Sequence, residues 1–190
     1  MKKILCYVSN EMADFEIVLA FHFLKSKGNR DILPVGIDLT PVVSQSGLTY
    51  LPRQTLAQAL DLTDVEALII PGGPIRPQRD ELTRLIRKVD AEKKLLAAIC
   101  FGPQYLGRAG ILDRRRFTTS CSEDTIKSLG VPDPYPRNNY VEERVVRDGN
   151  VITAKGSAFV DFAFAISDYL DIFAGRAAEK ERLYQEFMDR

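Results

Sequence analysis

Five consecutive residues carry the strongest chemical signal in the chain, Ala98-Ile99-Cys100-Phe101-Gly102. They follow a short apolar run and open a helical pattern, and they read as small–x–nucleophile–x–small. This is the pattern of a nucleophile elbow, a strand-to-helix turn so tight that the residues two before and two after must be small. A cysteine there sits at a helix N-terminus, which lowers its pKa and favours the thiolate. Cys100 is therefore expected to be the most acidic thiol of the chain. Pro103 suits the first helical turn, where its missing N–H costs nothing. A buried structural cysteine, a common fate of free thiols, fits the same pattern equally well.

Two further segments end other apolar runs. Pro71-Gly72-Gly73-Pro74 follows Ala67-Leu68-Ile69-Ile70, and its glycines would let backbone amides approach a ligand closely. The amides of Gly73 and Phe101 together would form an oxyanion hole. Taken alone, the segment is as well read as a plain turn. Glu16 lies just past the first apolar run. A carboxyl held beside Cys100 would have its pKa raised by burial and by a neighbouring thiolate. It could then donate to the sulfur or shuttle a proton, and Glu16→Gln should raise the thiol pKa or abolish activity. A solvated first-turn acid is the plainer role, and Glu11 and Asp14 fill it equally well.

The remaining reactive residues point elsewhere. The single histidine, His22, lies in an aromatic-rich helical pattern and reads as a packed or surface residue. Cys6 falls inside an apolar run, Cys121 in a loop, and Arg114-Arg115-Arg116 in a solvated turn.

The elements that must position these groups alternate between strand and helix. Ile4–Val8, Ile32–Ile37, Ala67–Ile70 and Leu95–Ile99 are apolar runs suited to strands buried on both faces. Helical patterns cover 14–27, 80–92, 103–109, 123–129, 159–173 and 177–190, with a short turn at 55–60. Small hairpins are expected around Ser46-Gly47, flanked by Val42–Gln45 and Leu48–Leu51, and around Asp148-Gly149, flanked by Glu142–Val146 and Val151–Ala154, with a further strand at Phe117–Ser120 and a loop at Val131–Asn139. The alternation implies an α/β, flavodoxin-like three-layer sandwich, a mostly parallel sheet with helices on both faces. Ligands of such sheets bind outside the carboxyl ends of the strands, where the segments after Val8, Ile70 and Ile99 lie.

Composition removes several function classes. The 190 residues suggest one domain spanning 1–190, large enough for its own core. Lys+Arg and Asp+Glu balance at 26 each, which argues against a nucleic-acid binder with a basic face. No apolar run reaches the ~18 residues of a membrane span. The N-terminus is basic then apolar, but Asp14 and Glu16 cut it short of a signal peptide. A cytoplasmic location is expected. Three cysteines without an export signal are not a disulfide framework. No metal-ligand cluster or nucleotide-binding glycine motif is present, so no metal or other cofactor is expected.

At these motifs the chain resembles the ThiJ/PfpI superfamily, with its class I glutamine-amidotransferase-like fold. The resemblance runs through Ala13-Asp14-Phe15-Glu16, Leu68-Ile69-Ile70-Pro71-Gly72-Gly73 and Ala97-Ala98-Ile99-Cys100-Phe101-Gly102-Pro103. It continues through Gly110-Ile111-Leu112, Val151-Ile152-Thr153-Ala154-Lys155-Gly156 and Asp161-Phe162-Ala163. It is nearest the deglycase and ThiJ-like branch. It implies Cys100 as nucleophile, Glu16 as its carboxyl partner, the amides of Gly73 and Phe101 lining the site, and a homodimer. Two family histidines are missing. Phe101 stands where the peptidase branch has one directly after the cysteine. Ser120 stands where the deglycase branch has another, so that Ser120, with Gly72, lines the site. His22 matches neither position, and a Cys-His-Glu triad cannot be written. A peptidase, which needs a base for acyl transfer, is thereby disfavoured.

The expected activity is addition of Cys100 to a small reactive carbonyl or nitrile-like carbon, of glyoxalase or deglycase type, or hydrolysis of a small amide. The alternatives are a non-catalytic protein whose Cys100 senses oxidation or serves a chaperone-like role, and an inactive member kept as a scaffold.

Overall fold

The computed structural model describes residues 1–188. In chain order the elements are β1 (Lys3–Tyr7), α1 (Phe15–Ser26), β2 (Asp31–Gly36), β3 (Val42–Val43), β4 (Thr49–Tyr50), β5 (Gln54–Thr55), α2 (Leu56–Ala59), β6 (Val65–Ile70) and α3 (Asp80–Ala91). They continue with β7 (Leu95–Ile99), α4 (Pro103–Arg108), α5 (Glu123–Leu129), β8 (Val145–Asp148), β9 (Val151–Ala154), α6 (Phe159–Tyr169) and α7 (Ala177–Met188). Seven strands form one sheet in the order β5-β2-β1-β6-β7-β9-β8, parallel except for the β8–β9 hairpin. The fold is the expected flavodoxin-like α/β sandwich.

Alternation along each strand feeds two cores. Leu5 and Tyr7, Leu68 and Ile70, and Leu96 and Ala98 point to the face covered by α2, α3 and α4. Ile4 and Cys6, Ala67 and Ile69, and Leu95, Ala97 and Ile99 point to the face covered by α1 and α6. Continuous apolar runs are thus what a strand buried on both faces requires. The very apolar α6 is covered on both sides as well: it packs on the sheet and α1, and Tyr184 of α7 closes edge-on over Phe164 at 5.1 Å.

Three expected elements differ. Phe117–Ser120 is not a strand; it makes one isolated bridge, Phe117 to Tyr140. Its next amides are taken by other groups: Thr118 N–H donates to the Thr153 hydroxyl (2.9 Å) and Ser120 N–H to the Cys100 carbonyl (3.1 Å). The long helix from Phe159 ends at Tyr169, four residues early, and turns lead to Gly175 in the left-handed region (φ 71°). The first strand of the last hairpin is Val145–Asp148 rather than Glu142–Val146. Residues 189 and 190 of the C-terminal helix lie outside the described residues. No helix among the described residues is long and apolar enough to cross a membrane.

Candidate active site

The carboxyl ends of β6, β7 and β9 are neighbours in the sheet, and the residues that follow them meet around Cys100. Cys100 occupies the turn between β7 and α4 with φ 60°, a conformation that costs a side-chain-bearing residue about 1–2 kcal/mol. Three hydrogen bonds hold it there. Its N–H donates to the Ala154 carbonyl (2.8 Å), and its carbonyl accepts from Ser120 N–H (3.1 Å) and the Thr119 hydroxyl (2.6 Å). Gly102 must be glycine: a Cβ there would lie 2.7 Å from the Ile70 and Pro71 carbonyl oxygens. The small-residue requirement read from the sequence is therefore a requirement of backbone approach.

Glu16 enters from the first turn of α1 and is buried, 2% exposed. Its Oε2 accepts the Gly72 N–H at 2.8 Å. The other acids of this segment are occupied elsewhere. Asp14 accepts from Ser46 Oγ (2.7 Å) and the Tyr50 hydroxyl (2.9 Å), which ties α1 to the β3–β4 hairpin. Glu11 pairs with Arg76 (2.5 Å). Of the three candidate acids, only Glu16 faces the sulfur.

Glycines make this contact possible. A Cβ on Gly72 would lie 2.5 Å from Glu16 Oε2 and 3.1 Å from Cys100 Sγ. A Cβ on Gly156, just past β9, would lie 2.7 Å from Glu16 Oε1 and 3.1 Å from Sγ. Two backbone segments thus close on the Cys100–Glu16 pair. Gly156 is the site residue that sequence reasoning missed, although Lys155-Gly156 follows a buried strand just as Gly72-Gly73 does. Gly156→Ala is expected to lower any Cys100-dependent rate by about tenfold or more, as sub-ångström misplacement of reacting groups does, while the far-ultraviolet dichroism stays native. Steady-state kinetics beside dichroism check it.

Ser120 sits on the solvent side. Its hydroxyl accepts the Gly156 N–H (2.8 Å) and lies near enough to the Cys100 sulfur to favour its charged form. It also lines an open cavity of about 700 Å³ shared with Lys155 and Ser157. Phe101 is half-buried, with its carbonyl accepting from the Tyr135 hydroxyl (3.1 Å). Gly73 takes φ 150° and lies against the loop after β1, where its Cβ would meet the Glu11 carbonyl oxygen at 3.2 Å. Gly72 rather than Gly73 touches the sulfur. Gln104 holds this loop in place, accepting from Arg76 N–H and donating to the Pro74 carbonyl, each at 3.1 Å.

The electrostatics reverse one expectation. Burial first, and then the Glu16 charge, push the Cys100 thiol up to about 12. The hydrogen bonds from Ser120 and Phe101 N–H oppose this without overcoming it. A helix of six residues has too little dipole to offset a buried carboxylate at contact. Burial likewise raises Glu16 above the usual carboxylate range, against the hydrogen bonds from Cys100 and Gly72. Both shifts disfavour charge on the pair: the thiol holds its proton, and Glu16 ionises less readily than a free carboxyl. Cys6 and Cys121 are also raised, burial being the largest cause in each, and both are buried, whereas Cys100 is partly accessible. His22 is exposed on α1. Among the described residues, no group of three or more His, Cys, Asp or Glu is placed to hold a metal ion.

Known proteins share this arrangement of elements. A DJ-1 superfamily protein of Agrobacterium tumefaciens superposes with a TM-score of 0.83 at 29% identity, covering 98% of each chain. An isonitrile hydratase of Pseudomonas putida is 35% identical over 139 residues, 70% of this chain but only 56% of the hydratase. A deglycase of Pyrococcus horikoshii is 28% identical over 158 residues, 80% of this chain and 89% of that protein. The model of the DJ-1/PfpI family matches residues 2–169, and the chain belongs to that family.

Proposed function

We propose that the chain is a cysteine-dependent enzyme that adds Cys100 to the aldehyde carbon of a small 2-oxoaldehyde and completes its hydration to a 2-hydroxy acid. The observation that carries this reading is the buried Glu16 carboxyl held beside the Cys100 sulfur between Gly72 and Gly156. It supplies a nucleophile and a general acid–base group without a histidine.

The steps balance as follows. The thiol proton passes to Glu16 as sulfur bonds to the aldehyde carbon. The C=O π pair becomes an oxyanion, which takes that proton back and leaves a hemithioacetal. Glu16 then removes the hydrogen of the former aldehyde carbon as a proton and returns it to the adjacent carbonyl carbon, while the hydroxyl proton moves to the neighbouring oxygen. The first carbon is oxidised to a thioester and the second reduced to an alcohol, with no external redox partner. Water displaces the sulfur, which regains its proton. Methylglyoxal plus water gives lactate.

Support for the oxyanion role of Gly73 and Phe101 is that Gly73 N–H has no protein acceptor among the described residues and that Phe101 N–H already faces the sulfur. The names of the hydratase and deglycase relatives favour an enzyme.

The test is methylglyoxal consumption with lactate as the assayed product, and an alkyl isonitrile with its formamide as a parallel substrate. Lactate formed over many turnovers is the expected result. Formamide alone would move the substrate class to isonitriles. Turnover of neither, with Cys100 oxidised at low peroxide, would replace the enzyme by the sensor.

A further inference from the structure

A second cavity lies at the same edge of the sheet, of about 230 Å³ and distinct in lining from the Cys100 site. It opens where the loops after β1 and β6 diverge, and the ends of β2 and α4 close it. This is the topological switch point of the sheet: from β1 the chain runs outward to β2 on one side and to β6 on the other. Crevices at such points are where open α/β sheets bind ligands. At ~30 Å³ per water, the space holds roughly eight water-sized groups.

The lining is rich in donors. Tyr7 and Tyr105, edge to face at 5.4 Å, line it together with Ser9, Asn10, Arg76 and Arg79. Two acids are near, and both are engaged. Glu11 takes one terminal nitrogen of Arg76 at 2.5 Å. Asp38 accepts from the Thr40 N–H (2.8 Å) and the Thr40 hydroxyl, and these bonds, with the nearby Arg79 charge, hold its carboxyl below the usual range. Two cationic donors remain. Arg76 Nε is enclosed and has no partner among the described residues, so a ligand in the crevice would meet Arg76 through its outer guanidinium nitrogens, one of which already holds Glu11. Arg79 has no carboxylate within ion-pairing distance among the described residues. Asn10 spends its side-chain oxygen on Val43 N–H (2.8 Å), which leaves its amide hydrogens to donate.

We infer that this crevice is a second ligand site, for a small molecule bearing a carboxylate or phosphate that Arg76 and Arg79 hold. The site does not depend on Cys100. The Pro71–Gln78 loop separates the two, presenting Gly72 to the sulfur and Arg76 to the crevice.

The test is a titration of the full chain, followed by amide chemical shifts, with inorganic phosphate in one arm and glycolate in the other. Saturable shifts at Ser9, Asn10 and Arg76–Arg79 are expected. Arg79 is exposed, so Arg79→Ala keeps the fold, and it should weaken binding about tenfold or more, the worth of one charge-assisted hydrogen bond. Cys100→Ala should leave the affinity unchanged. Response to phosphate alone assigns a phosphorylated ligand, and response to glycolate alone a carboxylic acid. No saturable shift in either arm, full affinity in Arg79→Ala, or loss of binding in Cys100→Ala would each overturn the inference.

Discussion

Cys100→Ala is expected to reduce lactate formation from methylglyoxal to the uncatalysed level, and Cys100→Ser to do the same. The serine variant is the more informative. It retains a hydroxyl of nearly the same shape within reach of Glu16. An alcohol is far less acidic than a thiol, however, and Glu16 is a weak base beside a histidine. In a reading where the side chain at 100 merely shapes the pocket, serine would keep activity; in the proposed mechanism it loses all of it. Neither variant should unfold the protein. The strain of φ 60° is a backbone property that alanine and serine bear as cysteine does, and the bonds to Ala154 and Thr119 use the main chain of residue 100. Stability should stay within about 1 kcal/mol of wild type, measured by denaturant unfolding. Lactate formation surviving in the alanine variant would remove Cys100 from the chemistry.

The sheet and its helices were legible in the sequence because each strand is buried on both faces. A run such as Leu95–Ile99 has one reading once flanked by helical patterns. Phe117–Ser120 was not legible for the opposite reason. Its composition suits a strand, yet its hydrogen bonds go to the Thr153 hydroxyl and the Cys100 carbonyl, partners that exist only once the sheet has formed. The site divides in the same way. Cys100 stood out through local sterics, since the turn itself demands Ala98 and Gly102. Glu16 did not stand out from Glu11 and Asp14, because the choice among them is made by Arg76, Ser46 and Tyr50, which lie 32 to 65 residues away. The acidity of Cys100 was misjudged because a helix N-terminus is visible in a sequence and the depth of a carboxylate is not. Gly156 was overlooked because a lone glycine after a strand carries no local sign of what presses on it.

Glu16→Gln separates a catalytic role from a structural one, because its three expected effects run in different directions. The amide keeps the shape and an acceptor for Gly72 N–H but cannot carry the proton, so lactate formation should fall by roughly 10²–10⁴, the usual worth of general acid–base catalysis. Removing the charge takes away the second cause of the high Cys100 pKa. Alkylation of Cys100, followed across pH, should therefore titrate at lower pH in the variant, opposite to the rise that a charge-stabilised sulfur would give. The fold should become more stable at neutral pH. Glu16 is raised in the folded protein, so between its ordinary pKa and the raised one the folded state binds more protons than the unfolded state. Stability contributed by this group is present below the ordinary value and lost as pH rises through the raised value. Above its ordinary pKa the buried Glu16 therefore opposes folding, and glutamine removes that penalty. A residue kept only to hold α1 against the loop after β6 would lose stability on substitution and leave the thiol titration where it was. A variant that is slower, yet more stable and more readily alkylated, is what a carboxylate held at contact with sulfur for proton transfer requires.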